Sequence, residues 1–297
     1  MSDVTTSGRG VEPAVVAKRR RKRGILGRLI ANPLSAAGLV LALLAIAIGL
    51  AAPLIAPDNP LAMTPDLRLA PPSLAHWMGT DDGGRDILSR IIFGTRSSLL
   101  TALGILAMAS VTGTAIGLTA GYFGGWVDEL LMRATDMFLA FPALVLAMGM
   151  AATLGPSLFN AMLATAVVWW PWYARLVRGQ ALHLKHETFV EAARISGASA
   201  LWIAVHHILR NCLTPIIVQM SLDIGYAILT LSSLSFIGLG AQPPTPEWGS
   251  MVSLGRDYFL EQWWMVTFPG LAIFLSVMAF NLLGDGLQEA LSPRLRR

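Results

Sequence analysis

Few residues in this 297-residue chain have the types and spacing that chemistry demands. Of five histidines, four cluster as His183, His186, His206 and His207. His186-Glu187 could open the zinc pattern H-E-x-x-H, but Val190 stands where its second histidine belongs. A metal ion needs three or four ligands in fixed geometry, and these spacings supply no such set. The single cysteine, Cys212, excludes an internal disulfide and any multi-cysteine metal site. There is no Gly-Lys dipeptide and therefore no phosphate loop of the G-x-x-x-x-G-K-[ST] type. No nucleophile stands beside a base. The expectation is a non-enzyme that holds no metal or cofactor of its own. Two polar features are left to explain: the stretch 185–215, and Asp223 within an otherwise apolar segment.

The elements that carry these residues are set by composition. Hydrophobic residues make up 54% of the chain and charged residues only 13%, outside the range of an ordinary soluble domain. A bilayer-spanning helix needs about 20 apolar residues. Six such segments can be marked, at about 33–56, 98–120, 137–154, 158–177, 212–236 and 265–284. The first is too long for the core of a signal peptide and reads as a retained span. In the second, Gly113, Gly117 and Gly121 form a small-residue stripe of the kind that lets two membrane helices approach closely. Pro142 near the start of the third predicts a tolerable kink. Trp169, Trp170, Trp172 and Tyr173 in the fourth suggest an aromatic belt at one interface.

The charges orient the spans. Eight of the 22 Lys/Arg precede residue 30, including the run 18–23. A basic run just before an apolar segment is a topology signal and a contact for anionic lipid, not a nucleic-acid site. With the N-terminus inside, the outer loops carry only Arg68, Arg85, Arg90, Arg96 and Arg256, and the other 17 lie inside. Both termini are therefore expected in the cytoplasm, together with the stretch 185–215. The implied division is a basic tail 1–32, a first span 33–56, an outer segment 57–96, a five-helix unit 97–286 and a tail 287–297.

The cytoplasmic stretch has structure of its own. Phe189, Val190, Ala193 and Ser196 recur at helical spacing, and Gly197 is a suitable helix stop. A second apolar run, 201–205, follows Ser199, a suitable N-cap. Ala192, Ala193 and Gly197 leave the short helix thin. On the residues alone it is either a docking element for another protein or a packed re-entrant connector.

Glu191-Ala192-Ala193, three residues and then Gly197 resembles the EAA loop of the membrane subunits of bacterial ABC importers. Further blocks are similar to the dipeptide/oligopeptide/nickel permease family. They are the run from His76-Trp-Met-Gly-Thr to Arg90, Gly121-Tyr-Phe-Gly-Gly-Trp-Val-Asp128, Phe236-Ile-Gly-Leu-Gly to Trp248-Gly249, and Asn281-Leu-Leu-Gly-Asp-Gly286. The resemblance covers about 30–297 and favours the "C" type of permease subunit.

It implies an all-α polytopic membrane protein with the six-helix type I ABC importer fold, in the bacterial inner membrane. The implied partners are a second, homologous permease subunit in a heterodimer, two cytoplasmic ATPase subunits that bind ATP and Mg, and an extracytoplasmic solute-binding protein. It also implies that the loop 178–211 contains the coupling helix, with Glu191, Ala192, Ala193 and Gly197 at the ATPase. Asp223 is a candidate for the translocation path, since intramembrane charges usually face a cavity or partner. Asp81, Asp82, Arg85 and Trp248 are candidates for binding-protein docking, Trp248 at an exposed edge.

The implied cargo is di- or oligopeptides, with nickel chelates or glutathione-like compounds as the alternative. An ion-gradient-driven secondary transporter is a further alternative, opposed by the lack of an internal repeat. One departure stands out. The family often has Leu-Pro-Asn after the loop, whereas this chain has Leu209-Arg210-Asn211, so the entry angle of the fifth span is expected to differ.

Overall fold

The computed structural model describes residues 24–291; residues 1–23, with the basic run 18–23, and residues 292–297 lie outside it. Among the described residues every regular element is helical, apart from an isolated bridge between Thr80 and Asp86. A short α1 (Ile25–Ala31) leads into α2 (Pro33–Ile55). Asn32 caps α2 by accepting from the Leu34 N–H (3.1 Å), and Pro33 at the first position gives up an N–H that would have no partner.

The loop after α2 ends at Asp86, whose carboxylate accepts from the Ser89 N–H (2.7 Å) and starts α3 (Ile87–Phe123). This helix begins eleven residues before the apolar run expected at 98. Its first turns are polar, with Ser89, Arg90, Thr95 and Ser98 buried, so hydropathy could not register them. At about 1.5 Å per residue, its 37 residues measure roughly 55 Å, well beyond a 30 Å hydrocarbon core.

After Gly124 come α4 (Gly125–Leu139) and α5 (Ala143–Leu154), bent by 87° from one another. The kink expected at Pro142 is thus a full break. Proline bars Phe141 from helical geometry and itself serves as the cap of α5. Next follow α6 (Leu158–Leu184), α7 (Thr188–Ile195) and α8 (Ala200–Ile203). A π-turn at Ala204–Leu209 joins α8 to α9 (Arg210–Phe236). The last elements are α10 (Trp248–Gly255) and α11 (Trp264–Leu291).

Among the described residues, four helices are long and apolar enough to cross a membrane: α2, α3, the continuous Ala200–Phe236 and α11. Counting the bent α4–α5 pair as one span makes five. The helix that carries the fifth apolar segment begins at Ala200, twelve residues before 212. Arg210 follows the π-turn inside this continuous helix and is exposed.

Small residues hold the bundle together, as they must where lipid offers no hydrophobic drive between helices. The α3 stripe meets α6 closely, and the two helices run parallel, since Gly104, Gly113, Gly117 and Gly121 face Met162, Trp170, Ala174 and Ala181 in turn. A methyl group added at Gly113, Gly117 or Gly121 would come within 3.0 Å of Trp170, Ala174 and Ala181 respectively. The same device joins α9 to α11 at Gly225 and Gly284, and α2 to α11 at Gly38 and Gly286. At one end of the bundle the Arg28 guanidinium donates to the Ala290 carbonyl (2.8 Å), so the two described ends of the chain meet. The expected aromatic belt is corrected. Trp169, Trp170 and Tyr173 are buried, with Trp169 stacked on Tyr226 and Trp170 edge-on to Phe138, and only Trp172 is exposed.

Candidate functional site

The short α7 stands at the end of the bundle where α6 gives way to α8. One residue anchors it: Val190 is wholly buried, in the same cluster as Ile203 and Ile208. The helix then ends in a Schellman motif. The Ala198 N–H donates to the Ala193 carbonyl and the Gly197 N–H to the Arg194 carbonyl, both at 3.1 Å. Gly197 has φ +83°, a conformation that L side chains rarely adopt, so the stop requires glycine.

Ser199 next caps α8 by accepting from the Trp202 N–H. Trp202 stacks on His206 and lies edge-on to His207, which also faces Phe189. The histidines of this region therefore pack with aromatic rings. The outcome is a polar face held on a rigid base: Glu191, Ala192 and Gly197 are exposed, Ala193 half-buried, and Ile195 88% exposed. No atom lies within 4 Å of where a Gly197 side chain would begin. The open alternative of a buried re-entrant connector does not fit this exposure.

Asp223 is on α9, half-buried in the bundle. The Tyr173 hydroxyl of α6 donates to one of its oxygens (2.7 Å) and the Gln219 amide to the other (2.9 Å). It is therefore paired within this chain, and it ties α9 to α6. At the α7 end, the Arg178 guanidinium donates to both oxygens of Asp128 (2.6 and 2.7 Å), clamping α6 to α4. Arg175 donates to Asp136 (2.7 Å) between the same helices.

At the opposite end, Asp81, Asp82 and Arg85 come together, but inward. Arg85 donates to Asp81 (2.7 Å) and Asp82 (3.1 Å), and Asp81 also accepts from the Gly83 and Arg85 N–H groups. Asp81 and Arg85 are buried, and only Asp82 reaches the surface. The exposed edge expected for Trp248 is corrected: this residue is 1% exposed, and its indole N–H donates to the Ile91 carbonyl (3.1 Å). Its ring fills the space left by Gly94.

Three residues that sequence reasoning passed over complete this end. Arg90 is buried and donates to the carbonyls of Pro60 and Pro244, joining two distant loops. Trp264 donates to the Thr80 carbonyl (3.2 Å). Glu247, wholly buried, caps α10 by accepting from the N–H groups of Gly249 and Ser250, both at 2.9 Å. Burial pushes the Glu247 carboxyl up, while those two N–H groups and the Ser235 hydroxyl oppose the shift. Arg90 and Glu247 lie in blocks already conspicuous in the sequence, and Trp264 lies outside them; the sequence does not reveal which side chains turn inward.

Comparison with known proteins gives a consistent result. A family model described as "Binding-protein-dependent transport system inner membrane component" matches residues 113–297. The chain is 49% identical over 263 residues to the probable D,D-dipeptide transport system permease protein DdpC of Escherichia coli K12, covering 89% of this chain and 88% of that protein. It is 46% identical over 265 residues to the dipeptide transport system permease protein DppC of Alkalihalophilus pseudofirmus, covering 89% and 87%. The glutathione transport system permease protein GsiD of Pectobacterium atrosepticum is 48% identical over 225 residues, covering 76% and 75%.

Proposed function

The chain belongs to the binding-protein-dependent transport system inner membrane component family, and from that premise we propose that it forms part of the path for di- or oligopeptides in an ATP-driven importer. It is a permease subunit resident in the inner membrane. The peptide reading is supported by the relatives named for dipeptide transport, which align over most of the chain. The name of one relative favours glutathione as a second reading, and competition between labelled dipeptide and glutathione for uptake separates the two.

The proposed topology has six spans: α2, α3, the α4–α5 pair, α6, α8–α9 and α11. The 27-residue α6 is the span whose tryptophans, proline and arginines depress its hydropathy. An even number of spans is supported by the contact between Arg28 and Ala290 at one end of the bundle. The charge distribution supports a cytoplasmic side for that end. The complete importer is proposed to pair this chain with a second, homologous permease subunit. Two cytoplasmic ATPases would hold the ATP and Mg, and an extracytoplasmic protein would deliver the solute.

The coupling reading rests on one observation above all. The exposed α7 sits at the foot of the unbroken Ala200–Phe236 helix, which carries Asp223. A partner that grips Glu191, Ala192, Ala193 and Gly197 holds a lever on the bundle. Closure of the ATPases would draw two such helices together, and the spans would shift between two packings. Transport then depends on differential contacts in those two states and needs no chemistry from this chain. Asp223, held by Tyr173 and Gln219, would present a fixed polar group to the path between the two permease subunits.

Glu191→Arg and Gly197→Val in the assembled complex test this. Both variants should insert and assemble normally while uptake, and ATP hydrolysis stimulated by the binding protein, fall at least about tenfold, a coupling loss of roughly 1.4 kcal/mol or more. Normal uptake with normal stimulation would remove the coupling role.

A further inference from the structure

Three side chains from separate parts of the chain converge at the end of the bundle opposite α7. Asp58 follows α2, His76 lies in the outer segment and Asp86 caps α3. His76 Nδ1 is 3.0 Å from an Asp86 oxygen and 3.8 Å from an Asp58 oxygen, and the three ligand atoms all lie within 4.8 Å of one another. Ligands about 2.0–2.1 Å from a tetrahedral ion stand roughly 3.3 Å apart, so a small inward movement closes such a set.

The supporting shell is already in place. Ser89 positions both acids: its N–H donates to the second oxygen of Asp86 (2.7 Å), and its hydroxyl accepts from the Asp58 N–H (2.9 Å). The backbone of His76 is pinned as well. Its N–H donates to the Ser73 hydroxyl, and its carbonyl accepts from the N–H groups of Ser73 and Gly79. Preorganisation of this kind fixes ligand orientation at metal sites. Two carboxylates and a neutral imidazole carry a charge of about −2, which one divalent cation cancels. The Asp86 side chain is 3% exposed and that of Asp58 50%, so the cluster is closed on one side and open on the other. On the open side lies a cavity of about 530 Å³ bordered by Asp58, Asn59, Phe93 and Pro246, with room for waters or an oxygen ligand in the remaining positions.

We propose that Asp58, His76 and Asp86 form a binding site for one borderline divalent cation of the zinc class, joining the end of α2, the outer segment and the start of α3. One imidazole nitrogen with two carboxylates suits such ions better than hard calcium or soft copper(I).

The test measures zinc on the intact, chelator-washed complex without nucleotide or substrate, by equilibrium dialysis and elemental analysis. Its outcome is therefore independent of the coupling experiment. Zinc bound elsewhere in the complex cancels in the difference between wild type and variant. Wild type should hold one more equivalent than His76→Ala. Asp58→Asn should weaken that equivalent at least about 100-fold, and Ser89→Ala, which removes the hydroxyl that orients Asp58 and keeps the N–H that holds Asp86, about 10-fold. Asp58→Asn guards against misfolding, because among the described residues only His76 lies within ion-pair distance of this half-exposed carboxylate. His183→Ala, at the other end of the bundle, should leave binding unchanged. Equal zinc in wild type, His76→Ala and Asp58→Asn would overturn the proposal and leave His76 as a hydrogen-bonded bridge between two carboxylates.

Discussion

Gly117→Ala tests the packing argument most directly. The added methyl would meet the carbonyl oxygen, carbonyl carbon and Cα of Ala174, all at or inside 3.0 Å. These are backbone atoms of a buried helix and cannot swing aside, so α3 and α6 must separate. Over-packing a close contact costs about 1–3 kcal/mol. Alanine also gains up to about 1 kcal/mol of helix propensity over glycine, which masks part of that cost. Gly179→Ala corrects for this. Gly179 lies in the interior of α6, exposed, with nothing within 4 Å of where its side chain would begin. Its substitution gains the propensity without the clash. The difference between the two variants therefore isolates the packing cost, about 1–3 kcal/mol, or several degrees in Tm for a chain of this size. Thermal unfolding of the assembled complex in detergent measures it, with abundance in the membrane as a second readout. If Gly117→Ala is as stable as Gly179→Ala, the glycine stripe does not hold this interface.

Three further outcomes follow from the geometry. Trp248→Ala should destabilise the complex by about 3–5 kcal/mol, whereas Trp248→Phe should leave binding-protein affinity unchanged, because the ring is core and not a docking surface. For Glu247, burial raises the folded-state pKa above that of the unfolded chain, so its contribution to stability is greatest in acid and is lost as pH rises through the folded value. Glu247→Gln should abolish that slope in Tm against pH. It should also cost about 1–3 kcal/mol, since Gly249 and Ser250 donate to different carboxyl oxygens and the NH2 group that replaces one of them cannot accept. Asp223→Ala should lower uptake at least about tenfold while Tyr173→Phe mainly lowers Tm, as expected if the charge serves the path and the phenol serves the charge; unchanged uptake in Asp223→Ala would assign the carboxylate a purely structural role.

How much could be read in advance differs from element to element, for physical reasons. Hydropathy located α2, α9 and α11 because each carries a long apolar run, but it missed the first turns of α3, where Arg90 and Ser98 are buried. Spacing alone predicted the helix stop at Gly197, since a left-handed residue is a local requirement. The break at Pro142 was legible as a position but not as an angle, because 87° depends on what α4 and α5 pack against. The four tryptophan-region residues of α6 suggested a lipid belt. Burial of three of them, Trp169, Trp170 and Tyr173, involves neighbours on α4 and α9, which the local sequence does not specify.

By itself the sequence determined that this chain lies in a membrane, that it has no phosphate loop and that a polar, thin helix interrupts its spans, because composition and local spacing suffice for each. The tertiary structure alone decided which polar side chains face inward. Asp81, Arg85 and Trp248 looked like surface and are core, while Asp58, His76 and Asp86, up to 28 residues apart, stand within 4.8 Å. Burial and ligand geometry arise from contacts between distant segments, and no window of neighbouring residues encodes them.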